Sequence, residues 1–219
     1  MEATQSSHLK WLQIAGITAV IAALIGMVGD ICLLYSPNGG YEAGDFEFLR
    51  AIPNSRLIWG HYLGLVAIPF ESAGIYLVWL ALAPLGKKTA WAAAIFGLYL
   101  MFIGVGYHVT VYPLADAIRT NPAQVEAFKP FSEPLGLVFA IAFFVAIAAL
   151  TLVIARGKTR LPKWFAFVSP LATYPLWVLA YLIVPSVGNL LAPTGFNLSM
   201  AIFFGLMTWK AEAWALPIK

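Results

Sequence analysis

Charge is scarce in this sequence. Of its 219 residues 13 are Lys or Arg and 10 are Asp or Glu, 11% in all, less than half of the roughly one quarter found in an ordinary soluble domain. So few charges cannot clothe a surface that faces water. Sulfur is scarcer still: one cysteine, Cys32, excludes an intramolecular disulfide framework and a CxxC redox pair, since each needs two. There is no nucleotide-binding glycine loop, no internal repeat, no low-complexity tract and no HExxH-type ligand motif. The net charge of +3 does not imply nucleic acid, because the basic residues fall in short connections where membrane-protein orientation bias accounts for them.

What is present is apolar, 61% of the chain. Six segments stand out at about 11–35, 57–85, 90–113, 134–155, 164–184 and 195–214, each near the 20 or so residues that cross a hydrocarbon core of about 30 Å. Membrane β-barrels show short alternating strands instead. A helix satisfies its own backbone hydrogen bonds in lipid, so the expected fold is all-α: a polytopic integral membrane helical bundle, one transmembrane domain over 1–219. The first segment, Trp11 to Tyr35, is longer than a signal-peptide core and reads as a retained span.

Lys10, Lys87, Lys88, Arg156, Lys158, Arg160, Lys163, Lys210 and Lys219 sort to one side of these spans. Arg50, Arg56, Arg119 and Lys129 sort to the other, among Glu42, Asp45, Glu47, Asp116, Glu126 and Glu133. That asymmetry predicts both termini in the cytoplasm and residence in a cell inner (plasma) membrane. The predicted outer loops, 36–56 and 114–133, are longer than the inner turns. Within the second, Asn121-Pro122-Ala123-Gln124 has an N-cap, a proline at the first helical position and a capping-box glutamine, which predicts a short surface helix. It would serve as a lid or as a hairpin lying on the headgroups. The fourth segment lacks ionisable groups from Phe139 to Ala146 and reads as a lipid-facing wall. Pro170 and Pro175 predict a kink or break in the fifth. Trp11, Tyr35, Trp59, Tyr112, Trp164 and Trp214 read as interfacial anchors.

Four ionisable residues lie inside spans, where each costs about 2.5–3.5 kcal/mol at a helix centre and calls for a partner or a purpose. Asp30, His61 and His108 fall in one layer, about a turn below the outer headgroups. Gly16, Ala19, Ala23 and Gly26 share a helical face with Asp30, while Ala93, Gly97 and Gly104 share one with His108. In the second span Gly60, Gly64, Ala67 and Gly74 align with Glu71. Small residues let membrane helices approach closely, so these faces should meet other helices.

Two imidazoles and a carboxylate form a known ligand set for zinc or non-haem iron, which makes Asp30, His61 and His108 candidate metal ligands. The structural alternative is an Asp accepting from two imidazoles and pinning three helices. Glu71 lies about 15 Å below His61 and is a candidate proton carrier or general acid/base; its structural alternative is a neutral glutamic acid hydrogen-bonded to the Leu65 carbonyl freed by Pro69. Glu133, at the outer start of the fourth span, is a second candidate acid or base. Tyr62, Tyr107, Asn189 and Asn197 are candidate substrate contacts, helix capping being the competing role for the two asparagines. His8 reads as solvated, and Ser72 has no adjacent base.

The leading functional expectation is a membrane-embedded, metal-dependent hydrolase or transferase acting on a lipid-like or small-molecule ligand. Its competitors are a proton-coupled carrier built on Glu71, a b-type haem protein using His61 and His108, and a non-catalytic scaffold. The sequence specifies neither substrate nor oligomeric state.

Overall fold

The structure, a computed structural model, describes residues 2–36 and 46–215, without the side chains of 2–6, 122–124, 131 and 132. Within these residues lie eight α-helices: α1 (Glu2–Leu34), α2 (Asn54–Glu71), α3 (Ala73–Leu82), α4 (Lys87–Thr120), α5 (Pro122–Ala155), α6 (Pro170–Ile183), α7 (Pro185–Trp209) and α8 (Ala211–Ala215). Six helical stretches are long and apolar enough to cross a membrane: Ser7–Leu34, Asn54–Leu85, Lys87–Thr120, Val125–Ala155, Lys163–Ile183 and Pro185–Trp209. The second joins α2 and α3 across Ser72, whose backbone N–H and hydroxyl both donate to the Ile68 carbonyl. Arg160 ties one end of the bundle together, its backbone N–H donating to Ala81 and its guanidinium to the Ala215 carbonyl, at 2.9 and 3.0 Å. We call this the terminal end and its opposite the far end.

Helix α1 is the central element, packed along α2 on one side and α7 on the other. The small-residue faces do what close packing of membrane helices requires. Gly16, Ala19, Ala23, Gly26 and Asp30 are all buried, and a Cβ at Gly16 would overlap Thr208 of α7. A Cβ at Gly29 would stand 3.3 Å from the Gly60 carbonyl oxygen and from the Gly64 nitrogen, so α1 and α2 cross nearly backbone to backbone. Large apolar side chains such as Ile17, Ile21, Phe102, Phe167 and Leu182 point outward, as lipid solvation permits.

Two connections differ from expectation. The segment 114–133 is helix throughout except at Asn121, where an extended residue joins α4 to α5. At 34 residues each, these helices are about 51 Å long and outreach a 30 Å core, forming a helical hairpin beyond the far end. The start predicted at Asn121-Pro122 holds, but it opens a long spanning helix rather than a short surface one. Charged residues at 116, 119, 126 and 129 imitate a loop because they stand where the hairpin leaves the apolar zone. The sixth span likewise begins at Pro185, and α7 ends at Trp209. Pro170 opens α6 at a position where no N–H is required, so only Pro175 lies inside it.

The other far-end segment packs on this hairpin. Phe48, Leu49 and Ile52, in and beside a 3₁₀ turn over Glu47–Ala51, form a second apolar core with Leu33, Leu57, Val111 and Ile118. Arg119 donates to Leu49 O, Ile52 O and Asn54 Oδ1. Arg56 donates to Ile31 O and Tyr35 O at 2.6 and 2.8 Å, tying α2 to the end of α1, where Ile31 O also accepts from the Tyr35 N–H. The rest of that loop, 37–45 with Glu42 and Asp45, lies outside the described residues. Of the expected anchors, Trp11, Trp59 and Trp164 are exposed, but Trp214 is buried and donates to the Met207 carbonyl at 2.8 Å.

Candidate functional site

The α1–α2 crossing sets the geometry of the polar cluster. Gly64 offers α4 a surface without a side chain, and the His108 imidazole lies against it so closely that a Cβ there would overlap the ring. His108 Nδ1 therefore faces the α2 backbone, while Nε2 stands 3.3 Å from Asp30 Oδ1. The other carboxylate oxygen, Asp30 Oδ2, accepts from Asn197 Nδ2 at 2.6 Å. Asn197 in turn packs on Gly26, whose Cβ would come within 3.1 Å of its amide. Asp30, His108 and Asn197 are 6%, 8% and 4% exposed, so the carboxylate is held by one imidazole and one amide in a dry setting. That combination satisfies a buried acid without a second histidine.

Glu71 is fully buried, and neither of its carboxyl oxygens has a hydrogen-bond partner among the described residues. The bond expected from a neutral Glu71 to the Leu65 carbonyl is not made. Asn197 Oδ1 is likewise buried without a donor.

Both groups line a cavity of about 730 Å³ enclosed by α1, α2, α3, α4, α5, α6 and α7. Its polar lining is Asp30, Glu71, Tyr107, His108, Tyr174 and Asn197, with Thr89 toward the terminal end; the remainder is apolar, led by Ile68, Phe139, Phe143, Met200 and Phe204. Among the described residues no Lys or Arg lines the cavity. Helix α5 is thus a cavity wall on one face, where Phe143 packs edge-on to Phe196 of α7, and lipid-facing on the other. Phe96 of α4 and Phe144 and Val145 of α5 line the cavity and are 39%, 42% and 61% exposed, so the cavity is not sealed along these helices.

The predicted three-residue ligand set does not assemble. His61 does not line the cavity; its ring lies 5.1 Å from that of Tyr62 and 6.3 Å from that of Tyr112, with Nδ1 buried and unpaired. It precedes Gly64 by three residues, which turns it about 60° around the helix from the direction where His108 is met. Among the described residues no group of three or more His, Cys, Asp or Glu side chains is placed to hold an ion. Glu133 is exposed on α5 and Tyr62 is 56% exposed; neither lines the cavity, nor does the half-buried Asn189. Tyr107 does, with its ring against Gly136.

Asn197 sits mid-helix rather than capping an end, and its bond to Asp30 went unanticipated because the sixth span was expected to begin at 195. A span drawn from Pro185 places a buried amide at membrane depth, which is the signal that would have found it. Tyr174 carried no such signal.

The chain belongs to a family of unknown function (DUF6796), whose pattern it matches over residues 8–213. No curated protein and no solved structure matches it.

Proposed function

We propose that this family member is an integral membrane protein that binds a small amphiphilic, lipid-like molecule inside its helical bundle. The polar end of the ligand rests at Asp30, Glu71 and Asn197, and its apolar body lies along α4, α5 and α7. One observation carries this reading: a cavity of about 730 Å³ with a predominantly apolar lining and a few convergent polar groups. Ligand sites are usually of this size, about 300–1,000 Å³, and of this composition. The exposed lining residues of α4 and α5 support entry from lipid, so the molecule need not pass through water. The charge asymmetry of the connections supports an orientation with the terminal end in the cytoplasm and the α4–α5 hairpin outside, in the inner (plasma) membrane.

The test is occupancy of the cavity by the neutral fluorophore N-phenyl-1-naphthylamine, with protein in lipid nanodiscs. Gly104 lines the cavity, and a Cβ there meets only Ile68 and Phe139, both at 3.7 Å. Gly104→Leu should extend into the open space and abolish saturable fluorophore binding while leaving the melting temperature close to wild type. Phe102→Leu, changed on the lipid-facing side of the same helix, should bind as wild type does. Equal binding by Gly104→Leu and wild type would refute the cavity as the site.

A further inference from the structure

Four buried side-chain atoms on the cavity-lining residues lack a hydrogen-bond partner among the described residues; one, His108 Nδ1, is turned against α2 at Gly64, and the other three share one property. Glu71 Oε1, Glu71 Oε2 and Asn197 Oδ1 are all acceptor oxygens, each buried and each without a donor from the protein. A buried acceptor left without a donor costs the full desolvation of that group, and the natural remedy is a ligand that brings N–H or O–H groups. Charge narrows the class. Among the described residues the cavity holds two carboxyl side chains, Asp30 and Glu71, and no Lys or Arg to receive a phosphate, sulfate or carboxylate head. The other titratable groups facing the cavity are Tyr107 and His108 from α4 and Tyr174 from α6; α3, α5 and α7 contribute none. His108 Nε2 is engaged with Asp30, and Nδ1 faces the α2 backbone, so neither nitrogen is presented to an anion.

Resting on the cavity reading above, we propose that the ligand is a lipophilic ammonium: an amine-headed amphiphile whose N–H groups donate to the Glu71 carboxylate and to Asn197 Oδ1. The hydrocarbon part occupies the aromatic channel formed by Phe139, Phe143 and Phe204. An ammonium on a buried carboxylate forms charge-assisted hydrogen bonds, about twice as strong as neutral ones, and it neutralises the acid without any movement of the helices. Anionic lipids and fatty acids are rejected by the same charge.

The experiment is competition against N-phenyl-1-naphthylamine in nanodiscs by three probes of equal chain length: dodecylamine, dodecanol and laurate. Wild type should release the fluorophore to dodecylamine at concentrations about tenfold or more below those needed for dodecanol or laurate, as charge-assisted pairing implies. Glu71→Gln should keep the fluorophore and lose the preference for the amine over the alcohol, whereas Glu71→Asp should retain part of it. Laurate competing as well as dodecylamine in wild type overturns the proposal, as does a full amine preference in Glu71→Gln. If Glu71→Gln fails to fold, the wild-type ranking alone decides. A wild type that never binds the neutral fluorophore sinks the cavity reading itself, whereas a bound fluorophore with the wrong ranking removes only the assignment of the head group.

Discussion

Gly64 admits no side chain, because the His108 ring occupies the place its Cβ would take. Gly64→Ala must push the imidazole away from Asp30 or part α2 from α4, and overpacking of this kind costs about 1–3 kcal/mol. A lowered melting temperature should follow, while Gly104→Ala, at ordinary contact distance from its neighbours, should leave it unchanged. Asn197 is the sole amide donor to Asp30 among the described residues. Asn197→Ala leaves a buried carboxylate oxygen without that donor, at a cost of about 1–3 kcal/mol. Asn197→Asp, which sets two carboxyl groups side by side, should destabilise further; thermal denaturation of the three proteins in one detergent ranks them. By contrast, His61→Phe should be tolerated, since His61 neither lines the cavity nor shares a hydrogen bond with Asp30. A collapse of the Asp30 cluster in that variant would contradict this placement.

At the scale of helices, Arg119 is the fastening of the far end. It joins α4 to three acceptors around the 3₁₀ turn, and Arg119→Ala should release that turn. Limited proteolysis in nanodiscs should then cut near residues 46–53 faster than in wild type, with the spanning helices intact. The number of spans and the faces by which they meet were legible in the sequence, because apolar runs and small-residue stripes follow directly from lipid solvation and helical pitch. Helix ends were less so. Charged residues at 116–129 look like a loop, yet a helix continues happily into water once hydrophobic burial is no longer asked of it. Pro113 and Pro134 read as boundaries, but α4 runs through the first and α5 through the second, since in a spanning helix neighbouring groups and local adjustment absorb the lost hydrogen bond. The pairing of Asp30 with His108 was foreseeable from depth and helical face. The exclusion of His61 was not, because a difference of about 60° in helix rotation lies below what hydropathy can resolve.

For the whole molecule, direction across the membrane is open to a simple measurement. In a Cys32→Ser background, Glu126→Cys on the hairpin should react with a membrane-impermeant maleimide in intact cells. Lys88→Cys at the start of α4 should react only after lysis; the reverse pattern would invert the proposed orientation. The cavity itself was not legible in sequence, since it is made by α5 leaning on α4 while standing clear of α1, and no local pattern records such a gap. The Asp30–Asn197 bond spans 167 residues and joins the first crossing helix to the last. Ribosomes add roughly 5–20 residues per second, so during biogenesis the Asp30 carboxyl group waits several seconds for His108 of α4 and on the order of ten seconds for α7 to bring the amide that completes its partners. The newborn helix must shelter that group meanwhile, against the insertion machinery or in the early α1–α2 hairpin, and synthesis halted ahead of α7 should yield a chain marked for quality-control proteolysis.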